Sequence, residues 1–329
     1  ALRDVDKYVT ADNQARVNRI KGQALAIRAH VHFDLMRYFS TRFDRNSTSI
    51  LAMPYNKEFR IAEDVQLPRL NNKDYYDNIF ADLAQAAQLL QGNAPTAGAN
   101  TRPFIDYFAV RAMQARINLY AEQWADAIAA ATEVINNRPL VTLADSARFN
   151  GMYNETNRGE IIWNVQFDPG QGGPGGSLFF PAGNRNSFRP AVEVATLSGN
   201  SGLIQRGDIR YNAFFRPETS NAFGTRLTVS KYNGKANLRD INTNFIVFRT
   251  GEMYLIRAEA RARSGQELTS LADLNFLRSN RIANYTPIVA LAGQDLLDAI
   301  ANERRAELFA EGHRWFDLKR TTRTIQRTN

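Results

Sequence analysis

Cysteine is absent from this chain, which excludes disulfides and thiolate metal sites. Histidine is scarce, with three in 329 residues. His30 and His32 stand two apart and point to nearly opposite sides of a helix, so they cannot share a zinc, and His313 is isolated beside Gly312. No Gly-x-Ser-x-Gly elbow occurs, and the glycine-rich run P-G-Q-G-G-P-G-G at residues 169–176 lacks the Gly-Lys-Ser/Thr ending of a phosphate cradle. It reads as a flexible loop. No apolar run approaches the roughly 18 residues needed to span a bilayer, and Ala1 does not open a signal peptide. Acidic residues are interspersed with the basic ones and no run of five Lys or Arg appears, so the net charge of +8 makes no nucleic-acid patch. These absences imply no metal, no cofactor and no nucleophilic catalysis.

With 44% hydrophobic residues the chain can bury a substantial core. Residues 11–39 read as one long helix, and residues 73–90 as another, apolar at Tyr76, Ile79, Phe80, Leu83, Ala87 and Leu90, with Asn71 or Asn72 as its cap. Between them residues 40–70 form a long connection with Pro54 and Pro68, of the kind that is functional or disordered. In residues 103–139, Ala115, Trp124, Ala127 and Pro139 occupy the marked positions of a 34-residue tetratricopeptide unit. Ala260 and Ala272 repeat the twelve-residue spacing of Ala115 and Ala127, which lets antiparallel helices cross closely; two ordinary hairpins with chance alanines are the alternative. From 140 to 246 the texture turns to Asn, Gly and Pro, with clear strand patterns only at residues 160–167 and 226–232. The expected fold is mostly α. A single domain places helical hairpins at 11–39, 72–138 and 249–327 as a superhelical platform, under a loop-rich cap at 140–248 with a few short strands.

At residues 301–320, A-N-E-R-R-A-E-L-F-A-E-G-H-R-W-F-D-L-K-R puts charge where a helix should be apolar. Leu297, Ile300, Ala301 and Leu308 form one stripe and Arg304 falls inside it. A buried guanidinium without a partner costs several kcal/mol, so a carboxylate must meet it. Glu252 and Glu259, seven apart and on a face with Leu255 and Ile256, offer the other half of an internal ion network; the alternative is a solvated salt-bridge face. Glu303, Glu307 and Glu311 share a helical face beside Arg304, Arg305 and Arg314, which depresses their proton affinity and suits pairing better than general-acid work.

These segments resemble the SusD/RagB family of surface nutrient-binding lipoproteins. Glu303, Arg304, Arg305, Glu307, Leu308, Glu311, Gly312, Arg314, Phe316, Asp317, Leu318 and Arg320 follow its C-terminal signature. Arg249, Glu252, Tyr254, Leu255, Ala258, Glu259 and Ala260 follow its R-x-x-E-x-Y-L-x-x-A-E-A pattern, and residues 20–39 are similar to its first conserved helix. The resemblance implies no enzymatic activity: an oligosaccharide is captured at the cell outer membrane and handed to a SusC-like TonB-dependent transporter. It also implies a lipid anchor on an N-terminal cysteine that this chain does not carry. By the same resemblance, Ala1 is read as an internal start after a further helical segment, and the usual tail beyond Arg320 is missing.

Three loops can hold a sugar, whose apolar ring faces suit aromatic side chains and whose hydroxyl rim suits amides and guanidinium groups. First comes S-L-F-F-P-A-G-N-R-N-S-F-R-P at residues 177–190, where Phe179, Phe180 and Phe188 interleave with Asn184, Arg185, Asn186 and Arg189. The alternative there is that the phenylalanines merely pin the loop. Second is the 40–70 connection with Phe43, Asp44, Arg45, Asn46 and Tyr55, and third Tyr211, Asn212, Phe214, Phe215 and Arg216. The third is weakened because Gly207, Asp208 and Arg210 fit a structural motif of the same family. The positive charge can serve an acidic glycan or an anionic surface, or be a generic excess.

Two rivals stay open. A tetratricopeptide adaptor would hold a peptide or a protein segment in its concave groove, but needs polar inner helix faces in place of a hundred-residue irregular insert. A glycoside hydrolase would need two cleft carboxylates, and Asp168 and Glu193 are the loop acids near the aromatic cluster. Sequons occur at Asn46, Asn154 and Asn284.

Overall fold

The computed structural model describes residues 4–58, 66–92, 104–168, 171, 173, 179–180, 185–186, 188–222, 224–232, 234–235 and 242–324. They form two compact units. The first gathers Ala1–Thr96, Phe104–Glu133 and Trp315–Asn329; the second gathers Ala97–Pro103 and Val134–Arg314. The described residues are mostly helical with a small β component, as the sequence predicts.

In the first unit the long helix α1 (Gln14–Phe39) packs along α2 (Asn72–Leu90). Asn71 caps α2 by accepting from the Asp74 amide at 2.8 Å, so the start of this helix is fixed locally. Gly22 sits where the helices touch; a Cβ there would lie 2.7 Å from Leu90 Cγ. The 40–70 connection is not a free loop where described. Leu51 bridges Asn71, the Ala52 amide donates to Leu70 O at 2.8 Å, and the Asn72 amide group reaches Arg42 O and Asp44 O, each at 3.1 Å. Beside these, α3 (Tyr107–Tyr120) meets the start of α4 (Trp124–Asn137) with Ala115 and Ala127 both fully buried. Glu133 clasps the pair, taking Tyr107 Oη and Arg111 Nε at 2.7 Å each.

The second unit holds α5 (Ser146–Tyr153), α6 (Ile209–Phe214), α7 (Thr250–Arg263), α8 (Glu267–Ser279) and α9 (Gly293–Glu307). Its strands pair in antiparallel twos: β1 (Ile161–Val165) with β6 (Phe245–Arg249), β2 (Phe179–Phe180) with β3 (Arg185–Asn186), and β4 (Phe215–Ser220) with β5 (Gly224–Val229). Phe149, Tyr153, Phe214, Phe215, Leu227 and Val229 make a core beneath the β4–β5 hairpin.

Two local expectations change. Ala272 is exposed, and the small pair between α7 and α8 is Ala258 with Ser270, whose hydroxyl donates to Ala258 O at 2.7 Å. The twelve-residue spacing is right but starts two residues earlier. The helix expected through residues 301–320 ends at Glu307 and resumes as α10 (Arg314–Arg320), because Ala310 and Gly312 adopt φ of 60° and 80°. The strand expected within residues 160–167 forms as β1, with Ile161 to Asn164 all buried and so covered on both faces.

Candidate functional site

The β2–β3 hairpin carries the first predicted loop. Phe179 stands opposite Asn186 and Phe180 opposite Arg185. The side chains of Phe179, Phe180 and Arg185, and Asn184 altogether, lie outside the described residues. Beyond the hairpin the chain is pinned twice to β4–β5. The Asn186 amide donates to Glu218 Oε2 at 3.0 Å, its side-chain amide donates to Glu218 Oε1 and Thr228 Oγ1 at 3.0 and 3.1 Å, and Phe188 O accepts from the Val229 amide at 2.9 Å. The backbone is thereby held while the Phe188 ring stays 52% exposed. An exposed ring on a held backbone can meet a sugar face without an ordering cost.

The second loop is built inward. Phe43 is buried with its ring 5.4 Å from that of Tyr120, and Tyr55 donates to Asp82 Oδ2 at 2.6 Å. Arg45 pairs with Asp77, donates to Lys73 O at 3.0 Å and lies over the rings of Tyr76 and Phe80. Asn46 and Asp44 are exposed beside them. In the third loop Tyr211, Phe214 and Phe215 belong to the core, with Tyr211 Oη donating to Thr196 O at 2.8 Å, whereas Asn212 is exposed and Arg216 half-buried. Asp168 and Glu193 are both exposed, and among the described residues no group of His, Asp or Glu is arranged to hold a metal.

A closed ion cluster lies buried inside the second unit. The pairing of Ile161 with Arg249 across β1 and β6 puts Glu160 beside the start of α7, and the last turn of α9 points Glu303 and Glu307 at the same place. Arg249 donates to Glu160 at 3.1 Å, to Glu311 at 2.9 Å and to Glu307. Arg281 reaches both Glu160 oxygens and Glu307, all at 2.9 Å. Arg210 bridges Asp208, Glu303 and Glu307 at 2.7, 2.6 and 2.9 Å, with Asp208 capping α6 through the Arg210 amide. Arg278 adds a bond to Glu303 at 2.7 Å, and Lys231 one to Glu311 at 2.6 Å. Equal numbers of carboxylates and cations therefore meet: Asp208, Glu160, Glu303, Glu307 and Glu311 against Arg210, Lys231, Arg249, Arg278 and Arg281.

Burial alone would raise the acids, yet Arg281, Arg249 and Arg210 hold Glu307 well below the usual carboxylate range. Glu303 and Glu311 are lowered in the same way against their burial, by Arg210 with Arg278 and by Arg249 with Lys231. Asp208 goes the other way, since its desolvation outweighs Arg210. Of the residues assigned to the network from sequence, Glu307 is its hub and Arg304 is buried, as its stripe requires, with Glu252 and Glu259 buried as well. Glu259 pairs with Arg263 at 3.3 Å, and Glu252 Oε1 lies 4.0 Å from His313 Nδ1. Glu160, Lys231, Arg278 and Arg281 were missed. Lys231 had a signal, since it shares the period-two face of Leu227 and Val229. Glu160 and Arg281 had none, because they meet each other across 121 residues of sequence.

Residues 194–329 match the SusD family, and residues 1–119 match a SusD-like family described as starch-binding and associating with the outer membrane. The chain belongs to the SusD family. A SusD-like protein of Formosa agariphila is 24% identical across 93% of this chain and 67% of its own length. Among solved structures, a SusD-like carbohydrate binding protein from Bacteroides vulgatus is 26% identical with a TM-score of 0.74, covering 99% of this chain and 67% of that one. A SusD superfamily protein from the same species is 23% identical with a TM-score of 0.79, covering 100% and 73%. This SusD family chain thus spans about two thirds to three quarters of the length of these relatives.

Proposed function

We propose that this protein is a non-catalytic glycan-capture protein of the outer-membrane surface, which holds an oligosaccharide at the β2–β3 hairpin for import by a SusC-like TonB-dependent transporter. The observation that carries the reading is the Phe188 ring, 52% exposed on a backbone fixed to β5 through Phe188 O. A flat apolar face next to the exposed Arg189 offers a sugar both stacking and hydrogen bonds. The Bacteroides vulgatus relative is a carbohydrate binding protein, and the reading extends that chemistry to this chain. One ring contributes little, so capture depends on several sugar rings engaging together. The carboxylates of the ion cluster take no part in turnover: they are closed to solvent, and three are held ionised at neutral pH. Lipid anchoring and transporter docking follow from the same family reading and are part of the proposal.

Titration calorimetry against a panel of neutral and acidic oligosaccharides tests it. At least one glycan binds the parent protein, and Phe188→Ala weakens that glycan about tenfold, the loss of roughly 1.4 kcal/mol of stacking, with unchanged circular dichroism. Full binding by the variant moves the site away from the hairpin.

A further inference from the structure

Below the β4–β5 hairpin, α5, the end of α6 and the residues after β5 enclose a cavity of about 290 Å³. Asn150, Asn154, Asn212, Arg216 and Ser230 line it, with Tyr153 and Lys231 behind them. This lining includes no carboxylate. Its two cations differ. Lys231 is engaged inward, donating to Glu311 Oε1 at 2.6 Å and Phe309 O at 2.7 Å, with its ammonium 3.8 Å from the Phe214 ring centroid. Arg216 is engaged only through a loose ion pair to Glu218. Its side chain is 41% exposed and its Nε lies 3.7 Å from Glu218 Oε1, an oxygen already taken by Asn186. The guanidinium makes no hydrogen bond among the described residues.

Polar side chains line the cavity beside it. Asn150 is half-buried and Asn212 is exposed. Asn154 Oδ1 is held by the Thr156 amide and hydroxyl at 3.2 and 2.7 Å, which leaves its NH₂ as a donor. Carboxamides and a partly exposed guanidinium in one cavity suit a ligand that carries hydroxyls and an anionic group. The volume is at the lower limit of small-molecule sites and fits one sugar ring, not a chain.

We infer that this cavity is a subsite for a single carboxylated sugar, a hexuronic acid residue of an acidic glycan, whose carboxylate meets Arg216 and whose hydroxyls meet Asn150, Asn154 and Asn212. A guanidinium fork matches a carboxylate bidentately, and carboxamides match a hydroxyl as donor or acceptor. The inference rests on the glycan-capture reading but places the charge selection at a different position from Phe188.

Calorimetry of the full chain with digalacturonate and with the matching neutral galactose disaccharide tests it, using the parent, Arg216→Met and Asn212→Ala. The acidic sugar binds more tightly than the neutral one, weakens with added salt, and loses about tenfold in Arg216→Met. Asn212→Ala loses affinity for both sugars. Circular dichroism and the unfolding midpoint of each variant establish that the fold is kept. Equal affinity for the two sugars, undiminished binding in Arg216→Met, or no saturable binding of digalacturonate overturns the inference. Phe188→Ala measured alongside separates the two claims. A neutral glycan lost in Phe188→Ala, with Arg216→Met silent toward every ligand, leaves glycan capture standing and removes the uronate subsite.

Discussion

Replacing Glu307 with glutamine removes one negative charge from the point where Arg210, Arg249 and Arg281 converge. Volume is conserved, so the change is electrostatic: one acceptor oxygen becomes an NH₂ group that faces guanidinium donors. Glu307 is completely buried, and no water reaches the three arginines to replace the lost partner. Breaking a buried pair by neutralising one member costs about 3–5 kcal/mol, a large share of the 5–15 kcal/mol that roughly spans the stability of whole domains. At about 2–4 °C per kcal/mol for a unit of this size, the midpoint of the second unit falls by roughly 10 °C. Differential scanning calorimetry at pH 7 measures it, with Asp168→Asn as an exposed control expected to change stability by less than about 0.5 kcal/mol. Combining Glu307→Gln with Arg281→Met, which removes a cation facing the same carboxylate, costs less than the sum of the two single changes. A Glu307→Gln midpoint within about 2 °C of the parent refutes the reasoning, because the cluster would then not depend on its central charge.

Gly251 admits no side chain. An added Cβ would lie 2.5 Å from Glu307 Oε1, 2.7 Å from Arg249 Nη1 and 2.9 Å from Glu160 Oε1, so Gly251→Ala disrupts the cluster without changing its charge and destabilises by about 1–3 kcal/mol in urea unfolding. The pH dependence has two origins. Burial, with Arg116 and Arg37 adding to it against Asp34, pushes His30 from 6.5 down to about 4. The folded value lies below the unfolded one, so the contribution is complete above about pH 6.5 and is lost as the pH falls through 4. It amounts to roughly 3 kcal/mol. Urea midpoints between pH 7 and 4 therefore decline less steeply in His30→Gln; an unchanged slope refutes this origin. Below about pH 4.5 the parent loses further stability, because Glu303, Glu307 and Glu311 are held lower in the folded state than in the unfolded chain. Glu307→Gln shows less of that second decline.

What the amino-acid order determined by itself was local. The Asn71 cap, the lengths of α1 and α2, the burial of Ala115 with Ala127, and the position of Arg304 on a core-facing stripe all depend on residues within a few turns of one another. Motif spacing over the same short distances carried the family. Periodicity went wrong where a change of backbone direction or of helix contact replaced the simple repeat, as in the break between Glu307 and Arg314 and in the shift from Ala260 and Ala272 to Ala258 and Ser270. Only the tertiary structure decided which charges meet. Glu160 and Arg281 are brought together by strand pairing and helix packing, and Coulomb attraction has no sequence period to reveal it. The candidate sites divided on the same principle. Phe43 and Phe188 are both phenylalanines in polar loops, yet Phe43 is covered by Tyr120, while backbone bonds at Asn186 and Phe188 leave the Phe188 ring in solvent.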